Sequence, residues 1–123
     1  MKILLGNLFE SKCKTIVNTV NCVGVMGKGI ALEFKRRFPL MFEEYQALCK
    51  KGEVKPGQPY LYRDLSGASI LNFPTKDNWR SPSKLSYIRE GLKWFRESYN
   101  ELGITSIAIP PLGCGNGGLW WDV

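Results

Sequence analysis

Between Ile16 and Pro39 the chain reads IVNTVNCVGVMGKGIALEFKRRFP: a β-branched run, then Gly24, Gly27 and Gly29, then an apolar run through Ile30, Ala31, Leu32 and Phe34. A strand that breaks into glycines and restarts as a helix demands a sheet whose strands feed helices. The same order creates a particular kind of surface. The first N–H groups of a helix have no partner within it, the helix dipole favours negative charge there, and glycine lets a ligand come close to the backbone. The stretch predicts an anion-binding loop at the end of a strand.

The remaining elements fit that frame. KILL (Lys2–Leu5) and TIVNTV (Thr15–Val20) read as short buried strands separated by a turn-like segment. The helix after the glycines should end near Phe38, because Pro39 disfavours helical geometry just before it. A second helix should cover Leu40–Lys50 and stop at Gly52. PYLYRD and SILNFPT read as strands paired through the turn-prone LSGA. Further on, Leu85, Ile88, Leu92, Phe95, Tyr99 and Leu102 recur at spacings of three and four. They form one helix face, which is assigned to the core, with Ser81 or Ser83 capping the start and Gly103 the end. SIAI (Ser106–Ile109) is another strand, and a second glycine-rich loop, Gly113–Gly118, follows it. The expected class is α/β, a single domain over 1–123 with a mixed central sheet sandwiched between helices. Two glycine loops at strand ends match the rule that ligands bind beyond the carboxyl ends of sheet strands.

Neither familiar phosphate motif fits. A P-loop needs G-x-x-x-x-G-K-[ST], but Cys22 stands where the first glycine should be and Gly29 where the hydroxyl should be. The dinucleotide fingerprint G-x-G-x-x-G fails because Gly24, Gly27 and Gly29 carry the reverse spacing.

Composition narrows the chemistry. The chain has no histidine, which excludes Ser-His and Cys-His catalysis and most zinc sites. Cys13, Cys22, Cys49 and Cys114 show no CxxC spacing and are expected to be reduced thiols, with no metal site. Acid–base or nucleophilic work must fall to carboxylates, Lys, Tyr, Cys or the substrate. An excess of 17 Lys and Arg over 11 Asp and Glu, net +6, suggests an anionic partner such as nucleic acid. No apolar stretch approaches the roughly 20 residues of a membrane span, and the start of the chain lacks the features of a signal peptide. The expected location is the cytoplasm, with no membrane partner.

IVNTVNCVGVMGKGIALEFKRRFP, with GNLF before it, NFPTK in the middle and IPPLGCGNGGL near the end, resembles the signature of the macrodomain family, which binds ADP-ribose. The resemblance runs along the whole chain and breaks off before the family's last helix and strand, so GGLWWDV reads as the first turn of a helix that the chain does not complete. It is strongest to the branch containing the DarG antitoxins and the terminal ADP-ribose protein glycohydrolases. GCGNGGL and TKDNWRSPS favour the DarG-type enzymes, which remove ADP-ribose from DNA modified by a DarT-type toxin.

The resemblance implies a layout for the site. Met26, Gly27, Lys28, Gly29, Ile30 and Ala31 would lie on one side of the diphosphate, and Pro111, Leu112, Gly113, Cys114, Gly115, Asn116, Gly117 and Gly118 on the other. Asn21 would face the distal ribose and share in catalysis, with Thr19 and Thr75 lining the site. The adenine would lie near Leu8 and Phe9. Asn7 stands where many family members carry an Asp that contacts the adenine amino group.

Lys76 lies at the end of a strand. From the residues alone it is either a solvated surface lysine or a cleft lysine; the resemblance implies the essential catalytic lysine. It would act as a nucleophile towards the anomeric carbon, or as a charged group with water attacking. Protein-directed relatives carry a catalytic Asp where this chain has Gly117, so that route is closed in its usual form. Asp77 adjoins Lys76 but should point the other way. Trp79, with Arg80 and Lys84, could stack on a splayed base while holding phosphates, or Trp79 could pack on the long helix; the resemblance favours DNA contact.

The implied activity is release of ADP-ribose from thymidine bases of single-stranded DNA. Alternatives are hydrolysis of ADP-ribosylated Glu or Asp in proteins, and non-catalytic ADP-ribose binding. Expected partners are ADP-ribose, ADP-ribosylated single-stranded DNA and a DarT-type toxin. No cofactor is expected, ADP-ribose being ligand and product, and the assembly expected is a monomer.

Overall fold

The computed structural model describes residues 2–5, 14–27, 29–78 and 84–110, the first of these segments by its backbone alone. Its elements are β1 (Lys2–Leu5), β2 (Thr15–Val20), α1 (Gly29–Arg37), α2 (Pro39–Lys50), β3 (Tyr60–Arg63), β4 (Ser69–Pro74), α3 (Leu85–Ser98) and β5 (Ser106–Ile109). The five strands form one sheet in the order β1-β5-β2-β4-β3. β1, β5, β2 and β4 are mutually parallel, and β3 closes the edge antiparallel to β4. The expected α/β class with a mixed sheet between helices is what the chain adopts.

The pleat sorts the side chains. Ile16, Val20, Ile70 and Ala108 pack with Phe34 of α1 and Met41 and Tyr45 of α2. Val17, Leu71, Phe73, Ile107 and Ile109 pack with Ile88 and Phe95 of α3 on the opposite face. All six residues of β4 are buried, as a strand with a helix layer on each side requires.

Proline and glycine set the breaks. Pro39 opens α2, its missing N–H falling where a helix leaves donors unpaired anyway, so α1 closes at Arg37 with only Phe38 between the helices. Gly52, at φ +71°, ends α2 in the left-handed region. The β3–β4 turn closes with Asp64 N–H donating to Ala68 O at 2.8 Å.

The face assigned to α3 needs correction. Ile88 and Phe95 are buried, but Leu85 is 53% and Leu92 42% exposed. Tyr99 and Leu102 pack against the core as expected, so the correction falls on the two leucines: the buried positions of the helix are Ile88, Gly91 and Phe95. At Gly91 an added Cβ would run into the Phe73 ring, so the glycine lets the helix sit directly on it. The cap of α3 is Lys84, with no side-chain bond; Ser81 and Ser83 lie outside the described residues. The helix proper ends at Ser98 and turns lead on to Gly103, where φ is +71°. Among the described residues, no helix is long and apolar enough to cross a membrane.

Candidate functional site

β2 and β4 are parallel neighbours, so their carboxyl ends emerge on the same edge of the sheet. Their pairing outlasts the strands. Thr75 N–H donates to Val20 O at 3.1 Å, and Cys22 N–H donates to Asp77 O at 2.9 Å. These two bonds bracket Asn21 on one segment and Lys76 on the other, setting the two residues side by side just past the last strand pair. Lys76 is half-buried there. Thr75 is buried, and its carbonyl accepts the N–H of Lys84 at 3.3 Å, drawing the start of α3 to the same edge. Asp77 is exposed and accepts the Tyr87 hydroxyl at 3.2 Å, which directs its carboxylate to α3.

Asn21 shapes the loop that leaves β2. Only 5% exposed, its Oδ1 accepts the Tyr45 hydroxyl at 2.7 Å, Val23 N–H at 3.1 Å and Val25 N–H at 3.4 Å, while Nδ2 donates to Val25 O at 2.9 Å. The Tyr45 hydroxyl also lies 2.8 Å from the Asn21 carbonyl. Burial, with Cys49 alongside, pushes the Tyr45 phenol far up, so its proton stays in place. Gly24 takes φ +86°, and a Cβ there would press on Cγ of Gln46 at 3.3 Å, so the loop rests closely on α2.

Beyond it the loop opens. Gly27 is exposed, and Gly29 begins α1 at φ +64°. No acidic side chain occupies the first turn of α1, so the helix itself presents no negative charge against an anion at its first N–H groups. Ile30 is 43% exposed and Ala31 half-buried. Val23 and Val25, also exposed, add apolar surface beside the glycines.

The sequence-derived residues fall into three groups. Asn21, Gly27, Gly29, Ile30, Ala31, Thr75, Lys76 and Lys84 gather at or beside the carboxyl edge of β2 and β4. Met26 and Thr19 stand apart. Met26 is buried in the core, where its Sδ accepts Asn18 Nδ2 at 3.8 Å, and half-buried Thr19 lies on the α3 side of the pleat. Asn7, Leu8, Phe9, Lys28, Trp79, Arg80 and the whole loop Pro111, Leu112, Gly113, Cys114, Gly115, Asn116, Gly117 and Gly118 lie outside the described residues, as do Cys13, Trp120 and Trp121. Lys84 is exposed, with Nζ 5.3 Å above the Tyr87 ring.

Reasoning from sequence missed the polar layer behind the loop. Asn18 and Asn72 face each other in register on β2 and β4, wholly buried, with Asn18 Nδ2 donating to Asn72 Oδ1 at 3.1 Å. An asparagine in the middle of each of two apolar strands was the signal. Cys22 and Cys49 are free thiols. Burial, then the Asp77 charge and Cys49, push the Cys22 thiol up to about 12, so beside Asn21 it stays protonated at neutral pH and is no nucleophile.

Residues 17–123 match the family model of the Macro domain. The chain belongs to the Macro domain family. This macrodomain is 54% identical over 120 residues to the DNA ADP-ribosyl glycohydrolase of Mycobacterium tuberculosis, covering 95% of the chain and 34% of that protein. It thus spans about a third of the length of the curated relatives it matches. Its fold matches the macrodomain of Mycobacterium tuberculosis DarG with a TM-score of 0.90 at 53% identity, over 97% of this chain and 82% of that one. It matches Thermosipho africanus DarTG in complex with ADP-ribose with a TM-score of 0.90 at 41% identity, over 98% of the macrodomain and 35% of that chain.

Proposed function

We propose that this macrodomain is a DNA ADP-ribosyl glycohydrolase that removes ADP-ribose from thymidine bases of single-stranded DNA. In the cytoplasm it serves as the antitoxin that reverses a DarT-type toxin. The observation that carries the reading is the pairing of Asn21 with Lys76 at adjacent strand ends, beside a glycine loop that opens a helix. The names of the relatives support it: a glycohydrolase acting on DNA, and a DarTG chain holding ADP-ribose.

In this reading the diphosphate sits against the backbone of Gly27–Ala31, where unpaired N–H groups and the α1 dipole meet its charge. The second glycine loop, Gly113–Gly118, covers the other side, and the adenine lies towards Asn7, Leu8 and Phe9. Asn21 donates an amide N–H to a hydroxyl of the distal ribose. The Lys76 amine, having given up its proton, attacks the anomeric carbon. The bond from that carbon to the base breaks, the base nitrogen takes up a proton, and water then releases ADP-ribose and restores the amine. If Lys76 keeps its charge instead, water attacks directly and the lysine stabilises the departing base. Trp79, Arg80 and Lys84 hold the DNA strand. With Gly117 in place of a carboxylate, an aspartate-assisted attack on protein conjugates has no residue to run on.

The test is parallel incubation with an oligonucleotide ADP-ribosylated on thymidine and with a glutamate-linked protein conjugate. Release from the DNA alone is expected. Rapid release from the protein with the DNA untouched would favour the protein-directed hydrolase, and ADP-ribose binding with no release from either would leave a binding module.

A further inference from the structure

We infer that Tyr45 is a positioning residue for the reaction: its hydroxyl, reaching from α2, locks the Asn21 amide so that one N–H is held towards the distal ribose. This rests on the reading of the protein as a DNA ADP-ribosyl glycohydrolase that uses Asn21.

The hydrogen bonds fix the amide's orientation. Oδ1 of Asn21 accepts three donors, and Nδ2 gives one hydrogen to Val25 O. Turning the amide over would set its NH2 group against the Val23 and Val25 N–H groups and its oxygen against Val25 O, forfeiting all three main-chain bonds, so the loop fixes the orientation and the Tyr45 hydroxyl fixes the position. The nitrogen's second hydrogen therefore has one direction, and that hydrogen is the one assigned to the ribose hydroxyl.

Two of the three donors, Val23 and Val25, belong to the loop itself and move with it. Among the described residues the Tyr45 hydroxyl alone ties Oδ1 to another element, and at 2.7 Å it is the shortest of the three bonds. Its ring is fully buried with Phe34, Met41, Val54 and Ile70, so the anchor itself cannot drift. At 2.8 Å from the Asn21 carbonyl as well, the hydroxyl holds both the side chain and the main chain of the residue. A hydroxyl with one proton serves these two acceptors by turns, and either choice keeps Asn21 seated on α2. Asn21 and Lys76 are bracketed by the same pair of main-chain bonds. A loosened Asn21 would tilt the anomeric carbon relative to the lysine while leaving the diphosphate contacts intact.

The experiment compares wild type, Tyr45→Phe, Asn21→Ala and the double variant on the ADP-ribosylated oligonucleotide, with kcat corrected for folded fraction by each melting curve. Tyr45→Phe should lower kcat roughly ten- to a hundredfold, as a small misplacement near the reacting atoms does, with KM and ADP-ribose affinity little changed. In the Asn21→Ala background the same substitution should cost clearly less, because the side-chain bond is already gone and only the contact with the residue's main-chain carbonyl is left to lose. An unchanged kcat, an equal loss in both backgrounds, or a Tyr45→Phe chain that neither melts cooperatively nor binds ADP-ribose would overturn the proposal. If wild type binds ADP-ribose but releases none from the oligonucleotide, the glycohydrolase reading fails separately. The positioning claim is then decided by the Asn21 side-chain amide resonance, which should shift and broaden in Tyr45→Phe and whose constancy would refute it.

Discussion

Beneath α3, Val17, Leu71, Phe73, Ile107 and Ile109 meet Ile88, Phe95 and Ile104 in an apolar cluster, and the polar side chains of the same pleat face, Thr15, Thr19 and Ser69, are short hydroxyls towards the strand ends. Beneath α1 and α2 the same strands present Ile16, Val20 and Ile70, but they also bury Asn18 and Asn72, and Tyr45 of α2 and Tyr60 of β3 bring phenol rings to this face. Buried polar groups lower stability unless they are paired, so the second face gives up some of the cohesion that the first retains. What it gains is a scaffold for the loop from Asn21 to Gly27. The hydroxyl of Tyr45 reaches that loop from this face, and the loop's own Gly24 and Met26 pack down onto it. The comparison assigns stability chiefly to the α3 side and site geometry chiefly to the α1–α2 side.

Phe95→Ala makes the harshest test of the α3 side. Emptying a buried ring should cost about 3–5 kcal/mol in urea unfolding, while ADP-ribose affinity per folded molecule stays unchanged. Loss of affinity at conditions where the variant is folded would mean the α3 face shapes the site as well.

On the other side, Asn72→Leu should cost about 1–3 kcal/mol, because it strips Asn18 Nδ2 of its oxygen partner and leaves it only the Met26 sulfur. Titration calorimetry should show ADP-ribose binding weakened too, since Asn18 and Met26 underlie the loop. Weakened stability with intact binding would break the division between the faces.

The polar face should also be the alkaline weak point. Burial pushes Cys22 up to about 12 from an ordinary 9.0, and raises Cys49, Tyr45 and Tyr60 as well. Each group holds its proton more tightly folded than unfolded. Their contribution is intact below the ordinary thiol range and is lost as pH climbs from about 9 towards 12. Urea midpoints should fall steadily between about pH 9 and roughly 10.5. A flat profile would contradict the burial of these four groups.

The smallest effect belongs to Tyr60→Phe. The Tyr60 hydroxyl is buried beside the Asn72 amide without a well-formed hydrogen bond among the described residues, so removing it should change stability by less than about 0.5 kcal/mol or raise it. A substantial loss would reveal a partner for it.

The sequence carried the strands well because each is a β-branched or apolar run bounded by charged or turn residues. Lys2–Leu5, Thr15–Val20 and Ser106–Ile109 fall where that pattern puts them. The α3 stripe was misread because an apolar pattern cannot count Gly91, whose value to the packing is that it has no side chain. Lys76 and Asn21 could be assigned to strand ends from local sequence. That one main-chain bond on either side sets them together depends on the β2–β4 register, which joins residues more than fifty positions apart. Tyr45 was harder still: it is one aromatic on an amphipathic helix, and only the three-dimensional fold brings its hydroxyl to a residue 24 positions earlier.

Single-turnover release from the ADP-ribosylated oligonucleotide by Lys76→Ala, with ADP-ribose affinity measured on the same preparation, tests the central claim most directly. If Lys76 acts on the transition state more than on the bound ground state, release should fall by roughly a thousandfold or more while affinity drops only modestly. Release at the wild-type rate, or equal losses in release and affinity, would contradict the assignment of chemistry to the paired ends of β2 and β4.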